Sequence, residues 1–430
     1  MATLDKLPNE SLAQILSTLS IGDLVQVSRV SRRLCAVAEP LLYQAPCLAS
    51  ICRDVGVPEL DRYFRSLIPP PSVTLDLFLR TIIGSPRDTL GAHVRSLSME
   101  WDHSIMQDDC VYSGAGWFMS SHHPNGFHGT KCVLLLHLLP SVRVLRINPP
   151  RDIAPLAISY FTHCVEPLHD ALSDRPTLRL QSLREFSCFN RRRGFGGGVT
   201  VKTVLTLMTL PCLNSIDVHI VDDPTPYSYS YIDGGVLFSP VTRLRLSGDQ
   251  LTAISLSLLL KAPTALTHFA FYALNYNFEI PDFMAPLSLL RPSLQHLHLD
   301  LNRELVISPS AKDDRIRGSF REWPVLQTLS YSAVEVVEEW LTQEPLSFAD
   351  VLPRSLRGLQ ILKDPYRPYR RLVDQVVELL RQKKEVVPAL ETVAVTTSSD
   401  DGAEIQVCAE LSLACENAGV ILVDGDCFGW

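Results

Sequence analysis

The sequence predicts an α/β solenoid over residues 91–430, preceded by a helical module at residues 4–43 and a connector with a lead-in helix at residues 44–90. Three observations carry this prediction. A short strand motif recurs along most of the chain, apolar helical segments precede many of its copies, and the front stretch spaces its apolar residues as helices do.

The strand motif has the pattern apolar-x-x-apolar-x-apolar, usually with a proline one to three residues ahead of it. It occurs ten times, starting at residues 94, 142, 183, 213, 241, 266, 294, 326, 356 and 390. From the third copy onward the starting positions are 25 to 34 residues apart. A period near this length predicts a solenoid, and residues 419–423 are expected to form a closing strand.

Apolar helical segments precede several motif copies, at Lys131–Leu139, Val201–Leu210, Leu251–Lys261 and Leu372–Lys384. Each repeat therefore consists of a helix, a proline and a short strand. The array resembles irregular leucine-rich repeats, and this resemblance implies a horseshoe with parallel strands on its concave wall and helices outside. The alternative is an α/β domain, whose sheet would also be parallel. The first two spacings between motif copies are longer than the rest, which predicts insertions at residues 102–129 and 148–178.

The front stretch has the spacing of three short helices. The first has its apolar stripe at i, i+3, i+4 and i+7, in Leu12, Ile15, Leu16 and Leu19. Asp23 is expected to cap a second helix, and Ser31 is expected to cap a third. About 37 residues bury too little surface for a full core, so the module is expected to need a partner.

The same stretch resembles an F-box. The residues that carry the resemblance read L-P-x-E-x-L-x-x-I-L-S-x-L-x-x-x-D-L-x-x-V-x-x-V-S-R-R from Leu7 to Arg33. The match covers Leu7–Tyr43 almost without a gap and departs from the family at Ser11 and Leu34. The resemblance implies a three-helix module that docks on a Skp-type adaptor and through it on a cullin–RING ubiquitin ligase. It implies a docking surface, or the packing beneath it, made of Leu7, Pro8, Leu12, Ile15, Leu16, Leu24, Val27 and Val30. The alternative is an ordinary helical cap on the array.

The third and fifth motif positions are variable, and in a horseshoe they would face the hollow. Neighbouring parallel strands lie about 4.8 Å apart, so one contiguous patch is expected to contain Arg243, Arg245, His268, His296 and His298. Such a patch suits a carboxylate or a phosphorylated segment. The alternative is a solvated wall without a ligand. No cysteine or carboxylate completes a zinc shell around these histidines with convincing spacing.

Composition restricts the possible functions. The net charge of −8 argues against a general nucleic-acid binder, and no apolar run approaches the roughly 20 residues of a membrane span. The N-terminus lacks a basic segment followed by an apolar run, so we expect no signal peptide. Eleven scattered cysteines indicate reduced thiols and a location in the cytoplasm, the nucleus or both. No catalytic motif appears, and no cofactor or metal is expected.

Together these features predict a non-catalytic substrate-recognition subunit of an SCF-type ubiquitin ligase. Its expected partners are a Skp-type adaptor with its cullin–RING ligase and an unidentified protein substrate, with no nucleic acid and no membrane. The alternative is a leucine-rich-repeat interaction scaffold that acts outside a ubiquitin ligase.

Overall fold

The computed structural model describes residues 7–44, 78, 80–83, 90–100, 139–148, 180–188, 199–222, 238–248, 251–273, 285–301, 320–332, 348–362, 369–395 and 402–424. The chain divides into two compact units. The first contains residues 1–199, 210–213 and 217–219, and the second contains residues 200–209, 214–216 and 220–430. Most of the predicted connector lies outside the described residues, as do the insertion at 102–129 and nearly all of that at 148–178.

Three helices form the front module, here defined as residues 7–44: α1 (Asn9–Leu16), α2 (Ile21–Ser28) and α3 (Arg32–Gln44). Ser20, not Asp23, caps α2, because the Ser20 hydroxyl accepts a hydrogen bond from the Asp23 backbone N–H at 3.2 Å. The prediction that Asp23 is the cap was therefore wrong by one helical turn. Ser31 accepts from the Leu34 backbone N–H at 3.1 Å and caps α3 as expected.

The front module has a small core of its own. Its buried apolar side chains come from all three helices: Leu12, Leu16, Leu24, Leu34, Val37 and Ala38. Arg33 of α3 fastens the start of α1, since its guanidinium donates to the Leu7 carbonyl oxygen and to the Asn9 side-chain oxygen. The charge-assisted bonds hold the first helix against the third, where hydrophobic area alone is limited.

All ten motif copies form strands, and each strand begins at the third motif position. The ten are β1 (Ser96–Glu100), β2 (Val144–Asn148), β3 (Glu185–Cys188), β5 (Ser215–Asp222), β6 (Arg243–Gly248), β7 (His268–Ala273), β8 (His296–Leu301), β9 (Thr328–Ser332), β10 (Gly358–Leu362) and β11 (Thr392–Val395). A two-residue strand, β4 (Val199–Thr200), lies before β5, and β12 (Ile421–Asp424) is the expected closing strand.

Strand pairing is parallel and follows chain order within each unit. In the first unit β2 pairs with β1 and β3. In the second unit β6 to β12 pair in succession. Third motif positions align with third positions throughout, as in Arg243, His268 and His296. This alignment is expected when each repeat places its strand in the same register against the strand of the preceding repeat.

Helices occupy the segments between strands. After the front module these include α4 (Leu90–His93), α5 (Val201–Leu207), α6 (Ala253–Lys261), α7 (Phe348–Val351), α8 (Tyr369–Arg381), α9 (Lys383–Val386) and α10 (Gly402–Ala418), and residues 80–83 and 285–288 are also helical. Threonine side chains cap α5 and α6, at Thr200 and Thr252. The helices predicted at 201–210, 251–261 and 372–384 therefore occur, slightly shifted at their ends, whereas 131–138 falls outside the described residues.

The apolar motif positions form the core. In β8 and the turn before it, Leu294, Leu297 and Leu299 are buried, and each contributes about 1.5–3 kcal/mol relative to an exposed side chain. The same three positions are buried in most other motif copies. A helical N-terminal region followed by parallel strands in chain order is consistent with the predicted α/β solenoid.

Candidate protein-docking surfaces

Two groups of side chains are candidates for protein docking, one on the front module and one on the strands of the second unit. The eight residues predicted on the front module divide by exposure. Leu12, Leu16 and Leu24 belong to its core, and Leu7 and Val27 pack partly buried against it. These five stabilise the module and do not present an open surface.

The remaining three predicted residues are exposed. Pro8 lies on the surface directly before α1, Ile15 of α1 is 44% exposed, and Val30 between α2 and α3 is 72% exposed. Isolated exposed apolar side chains are ordinary, but here they occur on a module with little surface to bury. Ile15 and Val30 are therefore its best candidates for contact with a partner.

The front module is joined to the first strand within its own unit. The backbone carbonyl oxygen of Gln44, the last residue of α3, accepts a hydrogen bond from the Arg95 backbone N–H at 2.8 Å. The rings of Tyr43 and Phe78 lie 6.4 Å apart. Arg95 immediately precedes β1, so the last turn of α3 is fixed to the start of the strand array.

The second group contains a row of three side chains, here called the cationic row: Arg243, His268 and His296. Parallel pairing places Arg243 beside His268 and His268 beside His296. The two imidazole rings stack with their centroids 4.1 Å apart. Arg243 is exposed and the histidines are half-buried, so this row is accessible to a partner.

Threonine hydroxyls orient both imidazoles. Thr267 Oγ1 donates to the Thr242 carbonyl oxygen at 3.0 Å and lies 2.9 Å from His268 Nδ1. Because that hydroxyl has one proton, both hydrogen bonds form together only when Nδ1 of His268 carries the ring proton and donates it. His296 Nδ1 lies 2.8 Å from Thr328 Oγ1.

The surroundings keep both histidines neutral at pH 7. Burial, the His296 ring and the Arg243 guanidinium lower the pKa of His268 to about 4. Burial and Arg243 also lower the pKa of His296 below its ordinary value. The row therefore carries one fixed positive charge, on Arg243, beside two rings that resist protonation.

The fifth motif positions form a second row that is less open. Arg245 is half-buried, and its guanidinium lies 4.7 Å from the centre of the Tyr272 ring, a cation–π distance. Tyr272 also contacts His298, with ring centroids 4.6 Å apart. His298 is only 2% exposed. The five residues of the predicted patch therefore lie on adjacent, aligned strands. His298, however, is buried and does not contribute to the exposed surface of the patch.

Neither a candidate metal cluster nor a membrane-crossing helix occurs in the described ranges. No group of three or more His, Cys, Asp or Glu side chains among them is arranged to hold a metal ion. In the same ranges, no helix combines the length and apolar character that crossing a bilayer requires.

Comparison with known families identifies the front module. A family model described as F-box-like matches residues 4–49. The match includes all three module helices and supports an F-box protein, a class whose F-box typically binds Skp-type adaptors of cullin–RING ligases. No curated protein matches the chain.

Proposed function

We propose that the chain is a non-catalytic substrate-recognition subunit of an SCF-type cullin–RING ubiquitin ligase. In this proposal the front module binds a Skp-type adaptor. The strand array, taken as an irregular leucine-rich-repeat horseshoe, binds the protein to be ubiquitinated. The location is the cytoplasm, the nucleus or both.

The observation that carries the proposal is the combination of the F-box-like match with the exposure pattern of the front module. A module with a closed core of six side chains still exposes Ile15 and Val30. In an ordinary helical cap, apolar side chains would be directed at the array they cover. Ile15 and Val30 stay accessible to a second protein, which is the kind of partner that the F-box-like match indicates.

Such a subunit would act by positioning its target protein and would not itself catalyse a reaction. Holding a target next to the charged conjugating enzyme raises the effective concentration of the reacting groups, and the chemistry takes place on other subunits. The hydrogen bond between Gln44 and Arg95 supports this role, because it fixes the adaptor-binding module to the start of the array.

Co-purification with a Skp-type adaptor tests the proposal. We compare the wild-type chain with the double variant Ile15→Asp and Val30→Asp, which places one charge at each of the two exposed apolar positions. We expect the wild type to retain the adaptor and the double variant to lose it, because each charge would be desolvated in an apolar interface.

A matched control separates docking from folding. Ile83 is also an exposed isoleucine of the first unit, with 58% exposure, and lies outside the front module. Ile83→Asp should keep adaptor binding and melt with the wild type. Failure of the wild-type chain to bind any Skp-type adaptor, with its melting transition intact, would overturn the proposal and leave the interaction scaffold.

A further inference from the structure

Three arginines of the first unit lie side by side, outside the front module and the cationic row. Arg95, Arg143 and Arg184 occupy the second motif position of three successive copies, directly before β1, β2 and β3. The Arg143 backbone N–H donates to the Arg95 carbonyl oxygen, and the Arg184 backbone N–H donates to the Arg143 carbonyl oxygen, each at 2.7 Å. Neighbouring members of this set, here called the arginine stack, are therefore about 4.8 Å apart along the sheet.

The positive charges of the arginine stack have little compensation among the described residues. The Arg95 guanidinium donates to the Ser141 carbonyl oxygen at 3.4 Å. Arg143 and Arg184 are exposed, and neither side chain forms an ion pair or a hydrogen bond with another described residue. The adjacent Glu185 is also exposed and forms no ion pair with either of them. Like charges at facing positions of paired strands are destabilising, so the stack costs stability in the chain alone.

The second unit avoids this arrangement at the same motif position. Thr267 Oγ1 donates to the Thr242 carbonyl oxygen at 3.0 Å, so two neighbouring copies have an uncharged link there. The next two copies have glutamine. Arg357 then lies beside Glu391, with Nη1 of the arginine 3.9 Å from Oε1 of the glutamate. In the second unit an arginine at this position has a carboxylate beside it, whereas the first unit has three like charges in succession.

The arginine stack begins where the front module ends. The Gln44 carbonyl oxygen at the end of α3 accepts the 2.8 Å hydrogen bond from the Arg95 backbone N–H. The module and the stack belong to the same compact unit. A protein that binds the front module therefore has the first arginine of the stack beside the end of its binding module.

The length of the arginine stack indicates which ligand it fits. Three arginines at about 4.8 Å spacing span about 10 Å, the length of about three extended residues. Guanidinium groups pair with carboxylates through two parallel hydrogen bonds. A nucleic-acid binder commonly makes about six to ten phosphate contacts, and this chain has a net charge of −8. A short acidic protein segment therefore fits the stack better than a nucleic-acid backbone does.

We propose that the arginine stack is an auxiliary docking surface for the Skp-type adaptor, and that it binds an acidic segment of the adaptor while Ile15 and Val30 contact an apolar surface. Arg143 and Arg184 supply the guanidinium groups that pair with the adaptor carboxylates. Binding offsets the repulsion within the stack and fixes the first strands of the array against the adaptor. This inference rests on the proposed function for the identity of the partner.

Binding kinetics on immobilised Skp-type adaptor test the inference, at about 50 mM and about 500 mM salt. The glutamine pair, Arg143→Gln with Arg184→Gln, should weaken affinity about threefold to tenfold at the lower salt, mainly through slower association. The difference from the wild type should nearly vanish at the higher salt, because exposed charges are screened there.

Two further variants assign the effect to the charges of the stack. The lysine pair, Arg143→Lys with Arg184→Lys, keeps both charges and should retain most of the affinity. Arg354→Gln with Lys384→Gln is the matched control, because it removes two exposed charges from the second unit and should bind as the wild type does. The glutamine pair should also melt no lower than the wild type, since it relieves like-charge repulsion.

Wild-type affinity of the glutamine pair at low salt would overturn the inference and leave the proposed function standing. So would an equal loss in the control pair, a loss that persists at high salt, or a lysine pair as weak as the glutamine pair. A clearly lower melting temperature of the glutamine pair would assign the arginines a structural role instead. A folded wild-type chain that binds no adaptor would overturn the proposed function and this inference together.

Discussion

Leu297→Asp gives the sharpest test of the strand register. Leu297 is the fourth motif residue of β8 and has no exposed surface. Its register neighbours are Phe269 on β7 and Leu329 on β9, and both are buried as well. The side chain therefore lies between apolar residues on the adjacent strands, and neither of its two register neighbours is polar.

The expected cost combines two effects. Removing a buried leucine side chain destabilises a protein by about 2–5 kcal/mol even when alanine replaces it. An aspartate in the same place adds an unpaired buried charge, which costs several kcal/mol more or forces the carboxyl to remain protonated. Since whole domains are stable by only about 5–15 kcal/mol, we expect the second unit to lose much of its cooperative melting transition.

Thermal melting followed by circular dichroism provides the assay, with three variants at equal concentration. Leu297→Ala should lower the midpoint by roughly 5–15 °C, and Leu297→Asp should lower it further or abolish the transition. Arg354→Asp, an exposed change to the same residue type, should melt close to the wild type. An unchanged midpoint for Leu297→Asp would refute the register, because a slip by one residue turns this side chain outward.

Three further predictions concern single positions. A Cβ added at Gly248 would lie 2.6 Å from the backbone oxygen of Ile220, so Gly248→Ala should destabilise the chain by about 1–3 kcal/mol through a backbone shift, measured by denaturant unfolding. Gly419 ends α10 with a positive φ of 63°, so Gly419→Ala should cost about 1–2 kcal/mol in the same assay. Because the pKa of His268 is lowered to about 4, the unfolded chain binds the proton more readily than the folded chain. Folding stability should therefore decrease as the pH is lowered from about 6.5 to about 4. His268→Asn should make the accompanying decrease in melting temperature smaller.

Each of these predictions has a contrary result. An unchanged unfolding midpoint for Gly248→Ala would mean that β5 and β6 do not approach as closely as described. A Gly419→Asn variant should be milder than Gly419→Ala, because asparagine tolerates the left-handed region, and the reverse order would argue against that conformation. An identical pH dependence for wild type and His268→Asn would show that the ring does not titrate abnormally.

The strands were predictable because one local pattern specifies both burial and register. Alternation with period two directs Leu297 and its counterparts to one face, and a repeat of similar length returns each copy to the same register. The adjacency of Arg243, His268 and His296 follows from the same regularity. The helices of the front module were predictable from their 3.6-residue spacing.

Other features depend on contacts that no local pattern records. The third and fifth motif positions fall on the same face of a strand, so the sequence pattern does not distinguish their exposure. His296 at the third position is nevertheless half-buried, whereas His298 at the fifth is only 2% exposed. What covers each position is set by tertiary packing. The bonds from Arg33 to the start of α1 join residues 24 and 26 positions apart, and only the folded module brings them together. The cap of α2 was placed wrongly because both Ser20 and Asp23 are capping residue types.

Calorimetric titration of the 430-residue chain with a purified Skp-type adaptor tests the central claim most directly. The account predicts saturable one-to-one binding with a micromolar or tighter dissociation constant, and loss of the heat signal in the variant with both Ile15→Asp and Val30→Asp. A well-folded wild-type chain that gives no binding heat, and no complex on a sizing column, would contradict the account. Binding that persists unchanged in the double variant would contradict the assigned surface.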